Sequence, residues 1–438
     1  MRQGGASRAG AVADPIVVRV RVFGRTAGAV ALEPGSRGPV AAFQYDDEFI
    51  DSGLRLSPFH VPLEPRRVFR FPDLNRDTFH GLPGFLADAL PDAFGNRLID
   101  AYMLRQGIAP GEISILQRLL YMGRRGMGAL EFEPPLNIGD SREAALPLAM
   151  ASLVESARQA IRGEIGSVAG DILRVGTSAG GARAKAVVGF QPESNELVSG
   201  QFDLPEGFQH WLLKFDGVDP DLELGRSHDY GRIEYAYSLM ARSAGIEMSD
   251  CRLLEEGGRA HFMTRRFDRE GNRKLHLQSL CGLQHADFNT PYVTDYELLL
   301  RTVQMLGLGK DDLGQAFRRM VFNVLSRNCD DHTKNFAFLM NGDGKWSLAP
   351  AYDLSFAHNP APGKWTCMHQ MLINGKTLEM TRDDLFEVGR KFNVRAARRI
   401  LSEVQEAVRN WPAFAEQAGL PEERVARIAD SLPDLGSA

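Results

Sequence analysis

The chain has 438 residues, of which 44% are hydrophobic, with a formal net charge of −5 and a pI near 6.1. That length exceeds one small domain and supplies enough apolar residues for substantial cores. The acidic balance argues against an autonomous nucleic-acid binder, which usually carries a basic face or a pI above ~9.

Residues 1–14 read as a flexible leader. Alternation of apolar and charged residues over Ile16 to Phe23 predicts a half-buried strand rather than the core of a signal peptide. Short apolar runs follow at Val40–Phe43, Leu54–Leu56 and Arg67–Phe71. From Phe85 the residues Phe85, Leu86, Leu90, Phe94, Leu98, Ile99 and Met103 recur at roughly helical spacing, with Pro91 as a break or kink. A second helix is expected over about Ile113–Leu120, and Pro134-Pro135 marks a connector. Ala144–Arg162 is a helix candidate, and the Gly-rich stretch Arg174–Lys185 precedes strands at Ala186–Phe190 and Gln209–Phe215. A helix over about Arg232–Ala244 stops at Gly245. Strands Arg252–Glu255 and Ala260–Thr264 then pair around Glu256-Gly257-Gly258.

Helices dominate from Tyr296. Phe317, Met320, Val321, Val324 and Leu325 mark one buried face, and Asp383–Ser431 is mostly amphipathic helix. Phe336–Met340 and Lys345–Leu348 form a hairpin around Asn341-Gly342-Asp343-Gly344. Four cysteines (Cys251, Cys281, Cys329, Cys367) stand far apart without CxxC pairing, which fits a reducing compartment and gives no recognisable zinc site. No apolar run reaches the ~18 residues of a membrane span, so the expectation is a soluble cytoplasmic protein without a membrane partner. The layout predicts an α+β, two-lobed protein-kinase-like fold with an additional N-terminal β-rich domain and a helical C-terminal lobe. Its expected parts are the leader 1–14, an N-terminal domain 15–135, a nucleotide-binding lobe 136–270 and a helical lobe 271–438.

The stretch richest in chemistry is Asp330-Asp331-His332-Thr333-Lys334-Asn335, with Asp353 placed 18 residues beyond Asn335 in Tyr352-Asp353-Leu354-Ser355. A carboxylate, an amide five residues on and a second carboxylate past a hairpin suit phosphoryl transfer, which is mostly positioning and charge neutralisation by oxygen ligands and hard cations. Taken singly, Asp330 could cap a turn, Asn335 could start a strand and Asp353 could cap a helix. Together, past a buried helix, they favour Asp330 as the residue orienting the attacking hydroxyl, with Asn335 and Asp353 binding Mg²⁺. Lys334 either neutralises phosphate or pairs with Asp331, and His332 supports the loop by hydrogen bonds.

The segment Ser178-Ala179-Gly180-Gly181-Ala182-Arg183-Ala184-Lys185 is a plausible phosphate cradle, its glycines opening backbone N–H groups and Arg183 and Lys185 adding charge. It lacks the GK[ST] of a Walker A loop and could equally be an ordinary turn; Ser178, among small residues, could accept a phosphate. Lys214 in Trp211-Leu212-Leu213-Lys214-Phe215 is either a snorkelling edge residue or the strand lysine that meets nucleotide phosphates, with Glu234 on the next helix as its ion-pair partner. Residues Arg265, Arg266, Phe267 and Asp268 are expected to form the linker lining an adenine pocket, Phe267 as an apolar wall; the alternative is a hairpin with solvated arginines. His261 and His276 read as strand residues with no ligand role.

These residues together resemble the HipA family, the kinase toxins of bacterial type II toxin–antitoxin systems, over nearly the whole chain. Ser178–Lys185 is similar to the family's Ser-x-x-Gly-x-x-x-Lys phosphate loop, Asp330–Asn335 to its Asp-Gly-His-x-Lys-Asn catalytic loop, and Tyr352-Asp353 to its metal-binding segment. In front, GLPGFLADALPDAFGNRLID and Leu116–Leu130 resemble the family's Leu-Pro-Asp helix and Gly-rich segment, so 15–135 reads as the family's N-terminal domain. The resemblance implies an ATP- and Mg²⁺-dependent serine/threonine protein kinase. Ser178, Ala179, Gly180, Gly181, Lys185, Lys214, Arg265, Phe267, Asp268, His332, Lys334, Asn335 and Asp353 are then the cofactor-binding set, Asp330 is catalytic, and Ser178 is the autophosphorylation site. It further implies an aminoacyl-tRNA synthetase as protein substrate and a helix-turn-helix (HipB-like) antitoxin through which the acidic chain meets operator DNA. Two residues depart from the family pattern: Asp331 replaces a common glycine, which adds negative charge beside the catalytic loop, and Arg265 stands where glutamate is frequent. Two other readings use the same residues: a small-molecule kinase, and a nucleotide-binding regulatory or co-repressor subunit without turnover.

Overall fold

A computed structural model of the chain describes residues 16–136, 146–161, 172, 183–217, 229–363 and 365–436. Strands β1 (Val17–Val22), β2 (Arg25–Glu33), β3 (Val40–Tyr45), β4 (Val68–Phe69) and β5 (Leu130–Glu133) form an antiparallel sheet in the order β4-β3-β2-β1-β5. The alternation in β1 sets its faces: Val18, Val20 and Val22 are buried, while Arg21 reaches across β5 to Glu133 at 2.8 Å. Leu54–Leu56 forms no strand; Leu54 and Leu56 are buried in the loop before β4. Pro91 divides the expected long helix into Gly84–Ala87 and Ala93–Arg105, and Asp92 caps the second by accepting from the Gly95 N–H at 2.7 Å.

A second antiparallel sheet contains β6 (Lys185–Gln191), β7 (Glu196–Ser199), β8 (Gln209–Lys214), β9 (Cys251–Glu256) and β10 (Arg259–Arg265), ordered β7-β6-β8-β10-β9. Strand β7 was not anticipated, since four residues after a turn carry little periodicity of their own. The core under this sheet is shared: Phe94, Leu98 and Ala101 of the Ala93–Arg105 helix pack with Val188, Phe190, Trp211, Leu213 and Met263. The N-terminal domain is thus inserted into the sheet lobe by one of its own helices.

A short ribbon, β11 (Arg269–Glu270) with β12 (Arg273–Lys274), leads to a three-stranded sheet of β13 (His276–Ser279), β14 (Ala337–Met340) and β15 (Trp346–Leu348). Helices fill the rest. Lys310–Leu325 was expected to bury one face, but every residue from Ala316 to Leu325 is buried. It is a central helix, and even its arginines find partners inside: Arg319 donates to the Ala349 carbonyl at 2.8 Å. Among the described residues no helix is long and apolar enough to cross a membrane.

The N-terminal domain and the segment that follows β10 are clamped around Asp268. This fully buried carboxylate accepts from the Gly128 N–H at 2.6 Å, from Arg266 at 2.7 Å and from Arg269 at 2.8 Å. Arg269 in turn donates to the Gly126 and Gly128 carbonyls, both at 3.1 Å. Two guanidiniums share one carboxylate, so removing that carboxylate strands both charges in the interior. Asp268→Ala should therefore cost about 3–5 kcal/mol of stability, read as a lowered urea midpoint; a midpoint equal to wild type would refute the clamp.

Candidate active site

Lys214, the last residue of β8, is buried, and its ammonium needs counter-charge. Its Nζ lies 2.5 Å from Glu234 Oε1 and also bonds the Asp353 carboxylate. Glu234 reaches it because the Tyr230–Ser243 helix starts hard against β10: a Cβ on Gly231 would lie 1.9 Å from the Ala260 carbonyl oxygen. Asp353 arrives from the segment after β15 in a left-handed conformation (φ +55°), which aspartate tolerates better than most residues. Burial disfavours the Lys214 charge, but the two carboxylates outweigh that and hold the ammonium above its usual range. Asp353 is correspondingly held below the usual carboxylate range: burial opposes its charge, and Lys214, Lys185 and Arg183 overcome burial.

The triad sits at the polar end of an open cleft. Leu212, Met248, Phe262, Leu277 and Leu354 line it with apolar surface, and Arg265, Arg266 and Phe267 border it as β10 ends. The Phe267 ring lies 5.5 Å from that of Tyr352. Lys185, Lys334 and Asn335 also line it. Lys185 opens β6 and pairs with Asp92 at 2.9 Å, both side chains buried. An apolar slot ending in three ammoniums, the Glu234 and Asp353 carboxylates and an amide can hold a flat base at one end and a polyphosphate at the other.

The Asp330–Asn335 loop is pinned from several sides. Asn335 donates to the Asp330 main-chain carbonyl at 2.7 Å, Thr333 to the Ala286 carbonyl at 2.8 Å, and Tyr352 to the Lys334 carbonyl at 2.7 Å. The last bond ties the catalytic-loop candidate to the Asp353 segment. Asp330 does not itself line the cleft; it lies five residues before Asn335, which does, and its partly exposed carboxylate accepts from the Trp365 indole at 2.6 Å. Asn335 and Asp353 both line the cleft, and as hard oxygen donors, one amide and one carboxylate, they suit a cation that takes its other ligands from phosphates and water.

Several expected roles change. Asp268 does not face the cleft; it is the buried centre of the clamp around Gly128. His332 does not line the cleft either: its ring packs 5.3 Å from Phe288, with Nε2 3.8 Å from Asp330 Oδ1. Lys334 does not pair with Asp331 but lies over the Phe288 ring at 5.1 Å. Asp331 adds no exposed charge, being fully buried and accepting from Tyr296 (2.7 Å), the Gln370 N–H (2.7 Å) and His369 Nδ1 (2.8 Å). The short helical turn at Thr333–Asn335 carries Lys334 away from it. Ser178, Ala179, Gly180 and Gly181 lie outside the described residues.

The cleft also contains residues that local pattern did not reveal. Asp88 and Met127 line it from the N-terminal domain, and Ser279 lines it while donating to Asp88 at 2.7 Å. Burial pushes Asp88 up, against the pull of Lys334. The only signals were their places in the stretches that resemble the family's Leu-Pro-Asp helix, for Asp88, and its Gly-rich segment, for Met127.

Comparisons with known proteins agree with this architecture. A family model for the HipA-like C-terminal domain matches residues 177–432, and one for the HipA N-terminal domain matches residues 18–133. The Sinorhizobium fredii kinase candidate Y4dM is 23% identical over 213 residues, 45% of this chain and 51% of that protein, so the match spans about half of the relative's length. HipA of Shewanella oneidensis MR-1, solved with HipB and operator DNA, superposes over 94% of both chains with a TM-score of 0.63 at 16% identity. That likeness establishes the shared fold.

One pH effect follows from the buried Asp331–His369 pair. Burial disfavours the imidazolium, yet Asp331 and Cys329 lift His369 from 6.5 to about 10. A proton retained by the folded chain and released by the unfolded one stabilises fully below about pH 6.5, and this contribution is lost as pH rises through about 10. Wild-type urea midpoints should decline across that window by more than ~1 kcal/mol equivalent, and His369→Gln should remove that slope. Parallel pH profiles would refute the assignment.

Proposed function

We propose that this chain, which belongs to the HipA family, is an ATP- and Mg²⁺-dependent protein serine/threonine kinase and the toxin of a type II toxin–antitoxin pair. The observation that carries the reading is Lys214 held between Glu234 and Asp353 at the polar end of an apolar cleft that Asn335 also lines, the Asn335 amide tying down the main-chain carbonyl of Asp330. The apolar walls exclude water from a nucleobase, and Lys214 and Lys185 neutralise phosphate oxygens. Asn335 and Asp353 are the residues that would hold Mg²⁺, which when bound aligns the phosphates and offsets their charge. Asp330 orients the acceptor hydroxyl and takes its proton as that oxygen bonds to the γ-phosphorus and the bond to the bridging oxygen of ADP breaks.

The same reading assigns Ser178 as the autophosphorylation site and, for a distinct acceptor, a component of translation such as an aminoacyl-tRNA synthetase. Both rest on the family resemblance. A helix-turn-helix antitoxin and, through it, operator DNA are the proposed partners, in the cytoplasm. The solved Shewanella assembly, which contains HipB and operator DNA, supports that choice. The net charge of −5 supports leaving DNA contact to the partner.

The test is incubation of the purified chain with Mg²⁺-ATP, followed by intact-mass and peptide mass spectrometry. One phosphate on Ser178 is expected, and Asp330→Ala should lose transfer by about 10²-fold or more while still binding nucleotide. Asp353→Ala should weaken Mg²⁺-ATP binding; unchanged affinity would remove its metal role. A wild-type protein that binds ATP, phosphorylates no protein and turns over a small hydroxylated metabolite would replace this reading with a small-molecule kinase.

A further inference from the structure

Nothing inside the Asp330–Asn335 loop orients the Asp330 carboxylate. The Asn335 amide donates to the Asp330 main-chain carbonyl, and His332 Nε2 remains 3.8 Å from Oδ1. The short hydrogen bond on the carboxylate comes from elsewhere: the Trp365 indole N–H donates to Oδ1 at 2.6 Å. Among the described residues none donates to Oδ2. A side chain 41% exposed, as Asp330 is, would otherwise rotate freely about its two dihedrals. With Oδ1 engaged by an indole, Oδ2 is left as the acceptor for an incoming hydroxyl.

Trp365 is itself seated through the neighbouring aspartate. Gln370 donates to the Trp365 carbonyl through its side chain and to Asp331 Oδ1 through its backbone N–H at 2.7 Å. His369 donates to Asp331 Oδ2 at 2.8 Å, and Tyr296 to the same oxygen at 2.7 Å. Tyr296 is fixed in turn by Asn323 of the central helix at 2.9 Å. Adjacent aspartates therefore divide the work. Asp331, fully buried, anchors the strap Trp365–Gln370, and that strap returns an indole to Asp330. The contact is not a by-product of packing, because Trp365 is only half-buried and spends its polar atom on a partly exposed oxygen.

We infer that Trp365 is the positioning residue for Asp330, fixing which carboxylate oxygen meets the acceptor hydroxyl, and that its ring borders the acceptor site. This rests on the kinase reading above. It assigns Trp365 no contact with the nucleotide, since Trp365 does not line the cleft.

The experiment uses the full-length, phosphatase-treated chain with Mg²⁺-ATP, comparing wild type with Trp365→Phe, which keeps the ring and removes the donor. Misalignment of a reacting group on this scale costs roughly 10- to 100-fold in rate. The expected result is such a fall in the transfer rate at saturating ATP, with the KM for ATP and the melting temperature unchanged. A second arm reads the contact without activity. The chain has four tryptophans, so the Trp365 emission is isolated by subtracting the Trp365→Phe spectrum. Asp330→Asn, compared with and without Trp365→Phe, should shift that emission, and no shift would overturn the contact. Transfer by Trp365→Phe at the wild-type rate overturns the inference alone. So does a rate loss accompanied by equal losses in ATP affinity and melting temperature, which marks a merely structural tryptophan. Absence of transfer by the wild type overturns the kinase reading and this inference with it.

Discussion

The arrangement of the cleft depends on one ammonium. Lys214 ends a buried strand, where an unpaired charge would be costly, and it is satisfied by carboxylates from two other parts of the chain. Glu234 comes from a helix laid across the sheet, and Asp353 from the segment that follows the β14–β15 hairpin. Neither carboxylate can be supplied unless its own element is docked, so pairing at Lys214 reports that the sheet lobe, its helix and the helical lobe are in register. Gly231 is the steric condition for this, because any side chain there would collide with the Ala260 carbonyl and lift the helix that carries Glu234. A nucleotide's phosphates would compete for the same ammonium. The ammonium that joins these elements is thus also the one a ligand must share.

The N-terminal domain is part of that cleft. Its helix Ala93–Arg105 contributes Phe94 and Leu98 to the core beneath the nucleotide-side sheet, and the residue capping that helix, Asp92, holds Lys185. Close approach of Gly84–Ala87 to Leu280–Gln284 is possible only with small residues: a Cβ on Gly84 would lie 2.2 Å from the Gly282 carbonyl oxygen, and one on Gly282 2.2 Å from Asp88 Oδ2. Asp88 and Met127 are carried to the cleft by this packing. Any ligand that moved the N-terminal domain would act on Lys185 and the cleft wall directly, without a relay through intervening residues.

Much of this was legible in the residues because the chemistry is local in sequence. Lys214 sits in an apolar strand, Asn335 follows Asp330 by one loop, and Asp353 follows by one hairpin. Strands with alternation, such as β1, and helices with a stop at glycine, such as Tyr230–Ser243, were readable for the same reason. What escaped was tertiary. Asp268 is next to Phe267 in sequence, yet where the chain turns after β10 the two side chains point to different surroundings. Solvated arginines remained an alternative around Asp268 because nothing local shows that the Gly126 and Gly128 carbonyls of a distant segment cover them. Lys334 and Asp331 are three residues apart, but Asp331 is turned into the core by Tyr296, His369 and the Gln370 N–H while Lys334 lies over Phe288. Trp365 lies in a stretch with no periodicity or motif, and only the folded loop shows its donor facing Asp330.

Asp331 is the most informative departure from the family pattern, because a carboxylate where glycine is common has to be accommodated. On the surface it would repel the phosphates of a nucleotide bound nearby. Here it is turned inward, where three donors satisfy it and the His369 imidazolium cancels its charge. A buried pair of this kind adds little net stability over apolar packing, but it tolerates few alternative geometries. The consequence is a fixed distance between the catalytic-loop candidate and the strap that crosses it. Glycine at this position could not hold such a strap. The substitution is therefore intelligible only together with His369, Gln370 and Tyr296, and among the described residues the Asp330 carboxylate meets instead the indole of Trp365, with the ring of His332 3.8 Å away.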